Sequence, residues 1–316
     1  NNHFAFSSEL KAFHHFPEIR FDINLNSVSD FMRHNYIPGE KSIYKNINKL
    51  MPAHYLVFKK NHEPRIKKYW NLKKIVSQNN RNKDDFCEQL AIENTEKLLT
   101  DSINKRMISD VSLGAFLSGG IDSSTVVALM KKNSSGPVKT FSIGFNEDGF
   151  NEAHYAKEIA KHLGTEHTEF YVSNQDAMNI IPELPQIYDE PFSDSSQIPT
   201  FLVSKLTRQH VTVALSGDGG DELFAGYNRY YFANNLSKKF ALMTGVGRYA
   251  VKKIINQVSP EMWDKLFGLI PSRYSIPQAG DKLYKLSNII SLDKQNIYKS
   301  LVSHWEDTEN LVPKAT

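Results

Sequence analysis

The stretch Leu113-Gly114-Ala115-Phe116-Leu117-Ser118-Gly119-Gly120-Ile121-Asp122-Ser123-Ser124 decides how this chain folds. Leu113 to Leu117 is an apolar run of strand length, and Thr125 to Lys132 beyond the loop is a helix-capable run. Ser118-Gly119-Gly120 therefore falls where a buried strand turns into a helix. Backbone N–H groups at a helix start lack intrahelical partners, and the helix dipole adds about half a positive charge there. Glycines let an anion approach that backbone closely. Asp122 sets a carboxylate beside the anion, which is sensible when a cation such as Mg²⁺ bridges carboxylate and phosphate. The plain structural alternative is a glycine-rich turn with Ser123 capping the helix. No lysine follows the glycines as in G-x-x-x-x-G-K-[ST], and the loop does not read G-x-G-x-x-G.

A second segment repeats the pattern. Val211 to Leu215 is another short apolar run, followed by Ser216-Gly217-Asp218-Gly219-Gly220-Asp221-Glu222. Two such loops at strand ends form a crevice of the kind in which open α/β sheets bind ligands. Between them lies Tyr188-Asp189-Glu190-Pro191-Phe192-Ser193-Asp194-Ser195-Ser196, rich in acids and hydroxyls. Around these segments strands and helices alternate. Lys139–Phe145 reads as a strand and Glu152–Leu163 as a helix stopped by Gly164. His167–Val172 reads as a strand followed by a helix to Leu184. Ile198–Gln209 reads as a helix leading into the strand at Val211–Leu215. That alternation predicts an α/β fold with a doubly wound parallel sheet.

The Ser-Gly-Gly-x-Asp-Ser loop resembles that of the PP-loop ATP pyrophosphatases, which cleave ATP to AMP and pyrophosphate to activate a carbonyl or carboxylate. The three segments together resemble the synthetase domain of the glutamine-hydrolysing asparagine synthetases. The likeness runs from Phe6-Ser7-Ser8-Glu9-Leu10-Lys11 through Lys68-Tyr69-Trp70-Asn71-Leu72 to His304-Trp305. It implies a ligase that uses ATP and Mg²⁺. A carboxylate, L-aspartate in the simplest case, becomes an acyl-adenylate. Ammonia from glutamine then displaces AMP to give the amide. Positioned N–H groups and the metal would dominate such catalysis.

The resemblance also assigns residues. Ser118, Gly119, Gly120, Asp122 and Ser123 would hold the phosphates that leave as pyrophosphate, with Asp122 and Asp221 as Mg²⁺ ligands. Asp221 is alternatively an acid favoured by a helix dipole. Leu117 and Ile143 would contact adenine, with sheet core as the alternative. Ile143 and Gly144 lie in Ser142-Ile143-Gly144-Phe145, which is similar to the family's strand-end motif, whose backbone amides read the base edge. Ser216 and Gly217 would touch the ribose or α-phosphate. Asp218 is the catalytic candidate, and it departs from the Glu of well-studied members. That glutamate is proposed to act as base toward ammonia or to steady the intermediate. Asp189, Glu190, Asp194 and Ser195 would contact the acceptor acid, with a capped helix start before Ile198 as the alternative. This run is similar to that of many bacterial relatives, some in polysaccharide clusters. An amidotransferase acting on a uronic-acid sugar is therefore the rival ligase, and a β-lactam-forming relative a further one. A noncatalytic nucleotide-binding module is the rival of another class.

Bulk properties narrow the classes further. The chain has 316 residues, 40% hydrophobic and 23% charged, with a net charge of +3. These are the figures of an ordinary globular protein, and so small a charge argues against a dedicated nucleic-acid surface. One cysteine, Cys87, excludes a disulfide framework and a cysteine-built metal site. No run approaches the roughly twenty apolar residues that span a bilayer, and a cytoplasmic address is expected. Relatives of the family are commonly homodimers, so a homodimer is expected.

The expected organisation has three parts. Residues 1–71 form the C-terminal part of a glutaminase domain of Ntn-hydrolase type, residues 72–82 a polar linker, and residues 83–316 the synthetase domain. The chain reads as a piece of a longer protein, truncated at both ends. Within the first part, Phe4–Phe6 and His54–Phe58 look like strands, and Phe31–Tyr36 looks like a short helix stopped by Pro38-Gly39. Lys83–Arg106 is expected as a helix with Cys87 inside it as a buried or half-buried thiol. After Asn228 the chain reads as mostly helical, and Pro277 to Leu286 gives no clear signal.

Overall fold

The computed structural model describes residues 4–79, 87–145, 152–268 and 278–315. They divide into two compact units. The first comprises residues 1–220 and 308–316, and the second residues 221–307.

The first unit opens with a 3₁₀ turn at Leu10–His15 and helix α1, Leu25–His34. Asn24 caps α1 by accepting from the Asn26 N–H, and Asn35 ends it in the left-handed conformation. The helix thus begins well before Phe31, where the apolar pattern alone placed it. Strands β1 (His54–Val57) and β2 (Arg65–Lys68) pair antiparallel. Phe4 to Phe6, expected as a strand, has no strand partner among the described residues; Phe4 instead stacks on Phe58, ring centroids 4.4 Å apart. The polar stretch expected as a linker folds over most of its length as helix α2, Leu72–Asn79.

Helix α3 runs Glu88–Met107. Residues 83–86, where its start was expected, lie outside the described residues. Cys87 is the N-cap rather than an interior position, and its thiol is exposed. The alternation then follows the sequence closely: β3 (Leu113–Phe116), α4 (Ile121–Asn133), β4 (Lys139–Phe145), α5 (Ala153–Leu163), β5 (Glu166–Val172). The helix expected to reach Leu184 is broken. It forms α6 (Asn174–Ile180), a 3₁₀ turn at Ile181–Glu183 and α7 (Leu184–Ile187). Pro182 and Pro185 each remove a donor from the ladder, which accounts for the break. Helix α8 (Gln197–Thr207) leads to β6 (Val213–Leu215).

The sheet is parallel throughout, in the order β5-β4-β3-β6. Its residues face two cores. Ala115 and Leu117 pack with Ile103 of α3, Val127 and Met130 of α4, and Ala156 and Ala160 of α5. Ile143 and Phe145 pack on the other face, with Ile180 of α6 and Leu202 of α8. Helices on both faces of a parallel sheet make this a doubly wound α/β fold. Strand order runs outward from β3 through β4 to β5, then returns to place β6 on the opposite flank of β3. The switch point therefore lies between β3 and β6, where the two glycine-rich loops leave their strands.

Helix α9, Gly220–Phe224, carries the chain into the second unit. That unit is helical: α10 (Asn228–Ala241), α11 (Gly245–Gln257), α12 (Pro260–Gly268), α13 (Ala279–Ile289) and α14 (Lys294–Leu301). Its core gathers Ala233, Phe240, Ile289, Ile290 and Ile297. Residues 269–277, which include Pro277, lie outside the described residues. A last short helix, α15 (Thr308–Leu311), belongs to the first unit, where the Arg33 guanidinium donates to Thr308 Oγ1 at 3.1 Å.

Candidate active site at the strand ends

The β3 loop is shaped by its hydroxyls. Ser123 Oγ accepts from the Ser118 N–H at 3.2 Å and lies 3.0 Å from Ser118 Oγ. Ser118 Oγ accepts in turn from the Gly120 N–H at 3.3 Å. Ser123 is thus a fastener that closes the loop on itself, buried at 7% exposure. Gly119 has φ +84° and lies against Tyr155 and Ala156 of α5, where a Cβ would come within 2.7 Å of Tyr155 Cβ. Only glycine meets both demands. At Gly120 the helix α4 has no side-chain cap, and a helix start of that kind offers its N–H groups to an anion.

The β6 loop is fitted against the β3 loop with no room to spare. A Cβ on Gly217 would lie 2.6 Å from the Ser123 nitrogen and 2.9 Å from the Asp122 carbonyl carbon. A Cβ on Gly220 would collide with the Asp122 carboxylate. Asp122 therefore reaches from the first turn of α4 across to the backbone of the second loop. The two glycine-rich loops, far apart in sequence, form one structure. Ser216 Oγ donates to Asp218 Oδ2 at 3.0 Å, so the exposed Asp218 carboxylate is tethered to its own loop.

The other candidates fall differently. Leu117 is 1% exposed and its side chain belongs to the α3–α4–α5 core. Its N–H donates to the Phe141 carbonyl at 2.8 Å. Ile143 is half-buried against the α6–α8 core, and Gly144 is buried in β4 opposite Tyr171. Leu117 and Ile143 therefore have sheet-core surroundings, on opposite faces. Asp221 opens the second unit. There its carboxylate occupies the space a Cβ on Gly226 would need, and its carbonyl accepts from the Gly226 N–H at 3.0 Å. In the same unit Tyr227 donates to Glu222 at 2.8 Å, which holds the Glu222 carboxyl below its usual range, and Arg229 stacks on Tyr227 at 4.0 Å.

The acidic segment is spent mostly on structure. Asp189 accepts from the Lys11 N–H at 3.1 Å and pairs with Lys11 Nζ at 3.2 Å. Glu190 accepts from the Ile43 N–H at 2.7 Å and from Lys49 Nζ at 3.1 Å. Asp194 accepts from the N–H and Oγ of Ser196, at 2.8 and 2.6 Å, just ahead of α8. Ser195 is exposed beside it. Asp194 and Ser196 thus form a local turn ahead of α8, whose N-cap, Ser196, makes no side-chain cap hydrogen bond. The partners of Asp189 and Glu190 were not legible there: Lys11 and Lys49 lie 178 and 141 positions away. Tyr155, the platform under Gly119, was missed for the same reason.

Away from the loops, His167 of β5 has Nδ1 2.9 Å from Thr140 Oγ1 and Nε2 3.2 Å from Ser142 Oγ. Burial pushes the imidazole below its ordinary range, with Glu169 acting in the opposite direction. No helix among the described residues is long and apolar enough to cross a membrane. No cluster of three or more His, Cys, Asp or Glu suited to a metal occurs among them. A cation held by one or two carboxylates and phosphate oxygens needs no such cluster, and Asp122 at the loop mouth fits that role.

A parallel doubly wound sheet with two interlocked glycine loops at its switch point defines an α/β protein with a crevice at its strand ends, the place where such sheets bind ligands. The family model described as asparagine synthase matches residues 94–313, and one described as a glutamine amidotransferase domain matches residues 1–70. The chain belongs to the asparagine synthase family. A Methanocaldococcus jannaschii protein, provisionally named asparagine synthetase [glutamine-hydrolyzing] 2, is 40% identical over 82% of this chain and 50% of its own length. Asparagine synthetase [glutamine-hydrolyzing] 1 of Bacillus subtilis is 34% identical over 73% of this chain and 35% of its own length. The chain thus spans half or less of these relatives. Among solved structures, an NH3-dependent NAD synthetase from Campylobacter jejuni matches 43% of this chain and 60% of its own. Its identity of 17% and TM-score of 0.31 are too low to bear on the site.

Proposed function

We propose that this chain is the ATP-activating part of a glutamine-dependent amide-forming ligase whose acceptor is L-aspartate. In this reading the acceptor carboxylate attacks the α-phosphorus of ATP, pyrophosphate leaves, and the acyl-adenylate is taken by ammonia to give asparagine and AMP. The observation that carries it is the interlock of the two loops: Gly217 against the Asp122–Ser123 backbone and Gly220 under the Asp122 carboxylate. Such a cradle presents fixed N–H donors and one carboxylate to a polyphosphate, which is what stabilising the departing pyrophosphate requires.

In the same reading Ser118, Gly119, Gly120 and Ser123 receive the β- and γ-phosphates, and Ser216 and Gly217 the ribose or α-phosphate. Asp122 holds Mg²⁺, and Asp221 is retained as a second ligand on its sequence position alone. Bound Mg²⁺ would neutralise charge on the phosphate oxygens. Leu117, Ile143 and Gly144 enter as the adenine wall, chiefly through backbone groups. Asp218 lies on the exposed rim of the loop and is the residue proposed to meet the incoming ammonia. Of the acidic segment, Asp194 and Ser195 are assigned to the acceptor, since Asp189 and Glu190 are engaged elsewhere. The residues matching the amidotransferase model support glutamine as the ammonia source, and a homodimer of the intact protein is proposed with it.

The test is AMP and pyrophosphate formation by the intact protein with ATP, Mg²⁺, ammonium and L-aspartate. Asparagine formed in step with AMP is the expected result. ATP binding without AMP under any acceptor would return the chain to a nucleotide-binding role.

A further inference from the structure

Glu190 is bonded more fully than a surface acid. Its Oε1 accepts from the Ile43 N–H, and its Oε2 from Lys49 Nζ, which also donates to the Ile37 carbonyl at 2.6 Å. Its side chain keeps only 20% exposure. Ile37 and Ile43 beside it are buried at 4% and 7%. One residue earlier Asp189 takes both the N–H and the ammonium of Lys11, and Lys11 Nζ also reaches the Gln186 carbonyl at 3.1 Å. Three residues later the Ser193 N–H donates to the Asn35 carbonyl at 2.9 Å. Separate points of the amidotransferase-like part, Lys11, Asn35, Ile43 and Lys49, thus grip the single loop 189–196. That loop runs directly into α8, and α8 into β6 and the Ser216–Gly220 loop.

The loop is tied to the amidotransferase-like part at several separate points, with ion pairs on the adjacent residues Asp189 and Glu190. We propose that Glu190, bridged by Lys49 and the Ile43 N–H, is a positioning residue that couples the amidotransferase-like part to the acid-activating site, so that ammonia released in one meets the activated acid in the other. The proposal rests on the ligase reading above. Glu190 touches no reacting atom in it. It acts by fixing where the 189–196 loop stands relative to the residues before 50, both within the first unit.

The experiment compares Glu190→Gln with the unmodified intact protein, measuring amide formation with glutamine and, separately, with saturating ammonium. The substituted amide keeps an acceptor for the Ile43 N–H and loses the charge that holds Lys49, so the fold should survive. Lys49→Met is the second variant, removing the same bridge from its other end. Both should lower glutamine-dependent synthesis about tenfold, the scale of losing one charge-assisted hydrogen bond, while ammonium-dependent synthesis changes less than about twofold. Glutamate released per amide formed should rise in the variants, because ammonia is lost before capture. Parallel loss of both activities, or no change in either, overturns the proposal and leaves the ligase reading intact. Absence of amide from the unmodified protein with ammonium sinks both.

Discussion

The two glycine-rich loops and the acidic loop look alike in sequence, since each gathers carboxylates and hydroxyls in a short segment, two at strand ends and one between helices α7 and α8. Their geometry separates them. In the glycine loops the partners are backbone: Asp122 rests on Gly220, and Gly217 on Ser123. In the acidic loop the partners are lysines and N–H groups of a distant segment, and Asp189 and Glu190 are consumed by them. A carboxylate that lies against glycine backbone remains available to a cation. One that already holds an ammonium and an N–H is a structural tie. What distinguishes them is the space a glycine leaves open, which no count of acids reveals.

Substitutions and one titration sharpen that contrast. Gly217→Ala should have the largest effect, because its methyl group would meet backbone atoms of Asp122 and Ser123 at 2.6 to 3.0 Å. Overpacking of that kind costs about 2–3 kcal/mol, and ATP turnover should vanish with it. Gly136→Ala, where nothing lies within 4 Å, should stay within about 0.5 kcal/mol. Urea midpoints of the two variants make the comparison. Equal midpoints would mean that the loops are not interlocked.

Asp122→Asn comes next. Its amide is isosteric and should leave the urea midpoint nearly unchanged, while AMP formation falls about 100-fold, the scale of removing one charge-stabilising group from such a site. Asp189→Asn, by contrast, should leave ammonium-dependent turnover within about threefold and lower stability by about 1 kcal/mol or less, since the Lys11 partner is exposed. If Asp189→Asn abolished turnover with ammonium, the acidic loop would have to be restored to the acceptor site.

The smallest effect is a pH slope. His167 has its folded-state value lowered, chiefly by burial. Below the unfolded imidazole value of about 6.5, the unfolded chain therefore binds the proton more readily than the native one. Stability from the neutral ring is complete above that pH and is lost as pH falls toward and through the folded-state value. Denaturation midpoints between neutrality and about pH 5 should decline, and His167→Gln should flatten the decline. A variant with the same slope as the unmodified protein would remove His167 as its source.

Much of the fold was legible because its cues are local. Short apolar runs ending in glycine marked β3 and β6, and β4 was bounded correctly at both ends. Gly164 stopped α5 where expected, in the left-handed conformation. Other features depended on more distant parts of the chain. Phe4–Phe6 has strand composition but no strand to pair with among the described residues, and Cys87 lies at a helix boundary that the periodicity ran through. Pro182 was visible in the sequence, yet the expected helix ran across it to Leu184, just short of Pro185. At the site, the glycine pattern announced an anion loop, whereas the contact of Gly217 and Gly220 with Asp122 is tertiary. Leu117 has the core surroundings that its alternative reading named, and Asp194 is bonded to Ser196 in the turn ahead of α8. Lys11 and Lys49 carried no signal at all, because an ion pair between such distant positions leaves no mark on either neighbourhood.

The proposed site depends on the two glycine loops forming one polyphosphate cradle with Asp122 at its mouth. Its most direct test is AMP and pyrophosphate release from ATP and Mg²⁺ by the intact protein given L-aspartate and ammonium, compared with Asp122→Asn and Gly217→Ala. AMP, pyrophosphate and asparagine are expected in equal amounts from the unmodified protein, with both variants silent or nearly so. Undiminished AMP from the two variants would contradict it.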